Sequence, residues 1–270
     1  MLNLTPYREL LEERLPGVSE GLEPVELYEP IGYILKLGGK RLRPILTLLA
    51  ADAYGSADEA INQALAVEVF HNFTLVHDDI MDHAPLRRGK KTVHEKWDLN
   101  RAILSGDAMM IQAYDLLIRN QEDKAASLLK VFNKVALEVC EGQQYDVNFE
   151  TGENISQEDY LNMIRLKTSV LLGAALELGV VVANAPETDR KYLYDFGVKL
   201  GIAFQIKDDV LDVYGDPDKF GKQVGGDILA NKKTLLMLHA MEKAKGDDAL
   251  ELQQWLGRQD ASEEKVAAIT

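Results

Sequence analysis

The chain has 270 residues, 46% of them apolar and 27% charged, which suits a globular domain with a sizeable core and argues against low complexity or long disorder. Its 44 acidic residues outnumber 30 Lys and Arg, giving a formal net charge of −14. That balance speaks against nucleic acid as a partner, because a phosphate backbone calls for a basic face. The one cysteine, Cys140, rules out an internal disulfide framework and suits a reducing compartment. No basic start leads into an apolar run, and no segment reaches the roughly 20 uninterrupted apolar residues that a membrane span needs. The chain is therefore expected to be cytoplasmic, without a transmembrane segment.

In chain order, the first notable segment is Gly38-Gly39-Lys40-Arg41-Leu42-Arg43-Pro44, three positive charges with no negative one. Glycine permits close backbone approach, and an arginine fork matches phosphate oxygens. Residues 61–76 place apolar side chains at three- and four-residue steps, so the spacing predicts an amphipathic helix running into Asp78-Asp79-Ile80-Met81-Asp82. On that helix Asp78 and Asp82 lie one turn apart on one face, where two carboxylates repel unless a cation bridges them. A second basic run follows at once, Arg87-Arg88-Gly89-Lys90-Lys91. Acid followed directly by base is better explained by a joint magnesium and phosphate site than by two unrelated surface runs.

Further helices are predicted over 101–118, 125–147, 157–183, 189–213 and 233–245, and alternating strand patterns are nearly absent. Glycine, proline and Asn or Asp punctuate the chain at 55–58, 84–89, 151–155, 184–187 and 215–227. The helix at 189–213 carries a second acidic cluster, Asp208-Asp209-Val210-Leu211-Asp212, at the same spacing among apolar neighbours. A lone cluster of this kind is more often a solvated helix face, but two copies set in apolar helices point to metal. Oxygen-only ligands favour magnesium over zinc. The tail at 246–270 is polar and weakly patterned. The expectation is one all-α domain, residues 1–270, with helices around a deep central cavity.

Taken together, GGKRLRP, HDDIMD followed by RRG, KTS at 167–169, FQIKDDVLDVYGD at 204–216, GKQVGGDI and NKKT resemble the trans-isoprenyl diphosphate synthases, in that family's order and over about residues 32–239. The resemblance implies an all-α prenyltransferase, usually a homodimer, that joins isopentenyl diphosphate to an allylic diphosphate (dimethylallyl, geranyl or farnesyl) with Mg2+. It implies Asp78, Asp82 and Asp208 as magnesium ligands, with Asp79, Asp209 and Asp212 completing the two motifs. Arg87, Lys167, Thr168, Gln205, Lys222 and Lys232 are implied for the allylic substrate, and Lys40, Arg43, His71 and Arg88 for isopentenyl diphosphate. His71 also shares a helical stripe with Asp78 and Asp82. The family continues through further C-terminal helices, so the chain is expected to lack the last of them.

Phe73 and Thr74 lie five and four residues before the first aspartate, where a bulky side chain in the family tends to limit product length. Phe73 therefore implies a short product, C15 to C20, with geranylgeranyl favoured over farnesyl. Three other readings compete. A class I terpene cyclase would replace the second DDxxD and would not need GGKRLRP, and a non-catalytic partner subunit would tend to lose aspartates. An acidic calcium-binding scaffold leaves the basic runs without a purpose.

Overall fold

The computed structural model describes residues 3–152, 154–215, 225–256, 258 and 262–270. Helices dominate: α1 (Thr5–Arg14), α2 (Val25–Lys36), α3 (Leu42–Asp52), α4 (Ile61–Met81), α5 (Val93–Lys96), α6 (Leu99–Ile118), α7 (Ala125–Thr151), α8 (Gln157–Ile164), α9 (Val170–Val182), α10 (Glu187–Tyr214), α11 (Gly226–Leu229), α12 (Leu235–Lys243), α13 (Asp247–Trp255) and α14 (Glu263–Ile269). Between α8 and α9, residues Arg165–Ser169 form one turn of π-helix. The one sheet among the described residues is the hairpin β1 (Leu86–Arg87) and β2 (Lys90–Lys91), with Leu86 opposite Lys91. Its turn is Arg88-Gly89, both at positive φ, as a two-residue hairpin loop requires. The all-α expectation holds.

Local chemistry sets the helix ends. Asp98 accepts from the Arg101 N–H at 2.9 Å to start α6, and Ser156 and Asp159 form a reciprocal capping box at the head of α8. Asn120, Asn184 and Asn231 take positive φ just beyond α6, α9 and α11, the left-handed stop that glycine or asparagine supplies.

Two compact units emerge. The first comprises Met1–Lys134 with Leu171–Asp195 and the second Val135–Val170 with Phe196–Thr270. In the first unit α4 is buried along most of its length, and α4 and α6 form its main helix pair, with Ala102, Gly106, Met109 and Ala113 of α6 buried. Phe70 packs edge-on against Phe132 with ring centres 5.0 Å apart. Each fully buried Leu, Ile or Phe contributes about 1.5–3 kcal/mol, so this packing fixes where the residues of α4 point. In the second unit Tyr160, Met163, Ile164 and Leu238 form a core, flanked by Phe149, Ile202, Ile206 and Leu235.

Candidate active site

The first basic segment is organised by one buried ion pair. Arg41 takes a positive φ of 49° just before α3, and its guanidinium turns inward to Glu68 of α4 at 2.5 Å and to the Leu35 carbonyl. Both charged side chains are 4% exposed. Asn72, one turn along α4, donates to Glu68 through its side-chain amide. Arg41 is therefore structural, and its neighbours Lys40 and Arg43 are set by it. Gly39 lies beneath Arg88: a Cβ there would sit 2.9 Å from that guanidinium, and its φ of 141° suits only glycine. Arg88 in turn donates to the Gly38 carbonyl.

Arg43 reaches His71 of α4, with Nη1 3.3 Å from Nε2. Guanidinium can only donate, so His71 must accept at Nε2 and carry its proton on Nδ1. Burial, then the charges of Arg43, Arg88, Arg87 and Arg41, hold His71 well below the usual histidine range, so it is neutral at pH 7. Burial also pushes Arg43 down to about 10, and its Nε is buried without a hydrogen-bond partner. With Arg41 held by Glu68 and Arg87 by Asp79, Arg43 and Arg88 beside a neutral histidine, Arg43 with an orphaned Nε, suit an anion with several oxygens.

The first aspartate motif ends α4. Carboxylates at a helix C-terminus oppose the helix dipole, at about 0.3–1 kcal/mol each, so they are not there for the helix. Asp79 is 1% exposed and is gripped by Arg87 of the hairpin, from Nε at 2.9 Å and Nη2 at 2.7 Å. Burial raises the Asp79 carboxyl while Arg87 pulls it down. Asp78 is half-buried and Asp82, which closes the helix, is exposed. His77, beside them, turns to the Ile103 carbonyl of α6 instead.

The second motif, near the end of α10, repeats this division with other donors. Asp209 is buried and accepts from the Tyr160 hydroxyl at 2.5 Å and from Gln205 Nε2 at 3.1 Å. Burial raises its carboxyl, and the neighbouring charges of Asp227 and Asp208 add to that. Asp208 and Asp212 are half-buried, and Asp212 accepts from the backbone N–H of Asp227 at 2.9 Å. Lys167 and Thr168 lie on the π-turn, a feature often found at functional sites. Lys167 pairs with Asp146 of α7 at 2.6 Å, and Gly142 lets the turn approach: a Cβ there would be 2.2 Å from the Lys167 nitrogen. Lys232 lies 3.5 Å from Asp227, with its side chain 63% exposed.

The donor sets fit a hard divalent cation held jointly with substrate oxygens. Among the described residues no three His, Cys, Asp or Glu side chains converge enough to hold an ion alone. In each motif the middle carboxylate is bound to protein donors, while the outer pair lies half-buried or exposed. Such pairs suit an ion whose remaining ligands are phosphate oxygens and water.

Residues 24–270 match the family model described as polyprenyl synthetase. The chain belongs to the polyprenyl synthetase family. A protein of Geoglobus acetivorans named geranylgeranyl pyrophosphate synthase is 40% identical over 260 residues, covering 95% of this chain and 79% of that one. A crystal structure described as geranylgeranyl pyrophosphate synthase superimposes with a TM-score of 0.93 at 53% identity, covering 100% of this chain and 83% of that one. A polyprenyl synthase of Caulobacter crescentus, solved with calcium and isoprenyl diphosphate, has a TM-score of 0.86 at 30% identity, with coverage of 98% and 80%. The chain is thus a prenyltransferase, and the terpene-cyclase alternative is not favoured. No helix among the described residues is long and apolar enough to cross a membrane.

The structure brings Arg43, His71, Arg87, Arg88 and the first aspartates together in the first unit. Lys167, Thr168, Gln205, the second aspartates and Lys232 belong to the second unit, where Gln205 meets Asp209 and Lys167 meets Asp146. Lys40 is exposed on the loop before Arg41. Lys222 lies outside the described residues. Phe73 is buried, its ring 5.5 Å from Phe70 and 4.8 Å from His77, and Thr74 is half-buried and donates to the His71 carbonyl. Sequence reasoning missed Glu68, Asp146 and Tyr160. Glu68 carries the one available signal, a charged residue among the apolar neighbours of a helix otherwise read as core.

Proposed function

We propose that this prenyltransferase condenses isopentenyl diphosphate with an allylic diphosphate to give a short all-trans product, geranylgeranyl diphosphate. The observation that carries the reading is the first unit's pairing of an anion site at Arg43, His71 and Arg88 with an aspartate motif whose middle member is locked by Arg87. Only a metal-bearing, multiply charged anion uses both. Arg43, Arg88, Lys40 and His71 bind isopentenyl diphosphate. Arg87, Lys167, Thr168, Gln205, Lys222 and Lys232 bind the allylic diphosphate.

Asp78, Asp82 and Asp208 ligate magnesium, which when bound supplies charge stabilisation to the departing diphosphate. Lys167, Thr168 and Gln205 stand where charge develops as the allylic C–O bond ionises, and fixed donors there lower the barrier. The double bond of isopentenyl diphosphate then attacks the carbocation and a proton is lost, with the released diphosphate as its acceptor. Phe73, packed between Phe70 and His77, limits chain growth. The reading also includes a cytoplasmic homodimer. Leu104, Ile111 and Ile118 recur every seven residues on α6 and are 58%, 69% and 36% exposed, one apolar stripe suited to a second copy.

The test is incubation with labelled isopentenyl diphosphate, magnesium and each allylic primer in turn, resolving products by length. A C20 product that lengthens in Phe73→Ala is expected, and no condensation with any primer overturns the reading.

A further inference from the structure

Lys265, in the first turn of α14, has no exposed surface at all. A buried ammonium costs several kcal/mol unless its protons find acceptors, and a cation in a helix's first turn also opposes the helix dipole. Stability of α14 does not account for the lysine. Its Nζ donates to Asn231 Oδ1 at 2.8 Å and to the Arg258 carbonyl at 2.7 Å, and Asn231 closes the triangle by donating to that same carbonyl at 3.0 Å. One residue on, Val266 lies against Gly225, where a Cβ would come within 2.6 Å of its methyl and where φ is +80°. So α14 grips both ends of the segment 225–231.

That segment is bonded to Asp212 of the second aspartate motif and leads into Lys232. The Gly225 N–H donates to the Asp212 carbonyl at 2.7 Å and the Asp227 N–H to its carboxylate at 2.9 Å. The Lys232 N–H returns to the Asp227 carbonyl at 2.9 Å. On the far side Lys233 donates to the carbonyls of Phe149 and Gly152, and Thr234 caps α12. Both neighbours of Lys232 are therefore fixed to the protein, while its own side chain is 63% exposed.

We propose that Lys265 is a positioning residue: acting through Asn231, it latches the 225–231 segment so that Lys232 and Asp212 are held in register for a diphosphate. The inference rests on the reading of Lys232 as a diphosphate ligand. A methionine would fill the same space, so what lysine adds is direction, two donors that fix where Asn231 stands.

Lys265→Met removes the donors at nearly constant volume, and Asn231→Gly removes the amide while keeping the positive φ. In either variant, amide exchange over 225–232 in the protein alone rises about tenfold or more, as loss of hydrogen bonds to a charged group implies. The KM for the allylic diphosphate rises by a similar factor, and that for isopentenyl diphosphate stays within about twofold, since Arg43 and His71 belong to the other unit. Combining the two substitutions adds little to either alone. Unchanged exchange at 225–232 in both variants overturns the latch whatever the activity. So does an unchanged allylic KM in both variants when Lys232→Ala raises it. If Lys232→Ala itself leaves the allylic KM unchanged, the reading of Lys232 fails, and the exchange result alone decides the latch.

Discussion

The two aspartate motifs solve one problem with different chemistry. Each closes a helix with carboxylates that the helix dipole disfavours, and each buries its middle member. In the first unit the buried acids face guanidinium groups, Asp79 with Arg87 and, deeper on the same helix, Glu68 with Arg41. In the second unit Asp209 faces a phenol and an amide, and Asp212 a backbone N–H, all neutral donors. The first motif thus has a cationic partner and borders further cations, whereas these contacts give the second motif none. A cation is needed most at the second motif, and an anion is received most readily at the first.

The sharpest way to break this contrast is Glu68→Gln. It leaves Arg41 buried without a counter-charge and is expected to cost about 3 kcal/mol or more in urea unfolding. A loss below about 1 kcal/mol would mean that the pair does not organise the basic loop. Asp79→Asn should cost less, about 2 kcal/mol, because Arg87 is a quarter exposed and can turn to water. Tyr160→Phe should cost about 1.5 kcal/mol, the worth of one hydrogen bond to a charged group. Asp209→Asn, which strands no charge, should cost about 1 kcal/mol or less, and a larger loss than in Asp79→Asn would reverse the comparison. The last difference is pH-linked. His71 has its folded pKa depressed, so its contribution is full above the unfolded pKa of about 6.5 and is lost as pH falls below it. Thermal unfolding between pH 7 and 5 should therefore show a steeper loss for the wild type than for His71→Gln.

How much of this was legible depended on range. The long helices at 61–76, 101–118, 125–147 and 189–213 were plain, because their apolar residues recur at helical steps and the structure extends each by only a few residues. The hairpin was not, since two residues per strand cannot show alternation, and neither was the π-turn at Lys167, whose wider spacing leaves no periodic trace. The 246–270 tail reads as weakly patterned, yet it forms α13 and α14, the latter started by the Ser262 cap. The spacing of the two aspartate clusters could be read as pointing to a metal. That the middle aspartates are sequestered could not be read, because their partners are set by the fold: Tyr160 is 49 residues from Asp209, and Arg41 is 27 from Glu68.

The central claim is that both motifs serve one metal-dependent condensation. The most direct test is the rate of geranylgeranyl diphosphate formation from labelled isopentenyl and farnesyl diphosphates, with magnesium and with chelator, for the wild type, Asp78→Ala and Asp208→Ala. The account predicts condensation that chelator abolishes and that falls about 10²–10³-fold in each variant, the usual loss when one transition-state stabiliser is removed. A wild-type rate in either variant, or a rate indifferent to chelator, would contradict it.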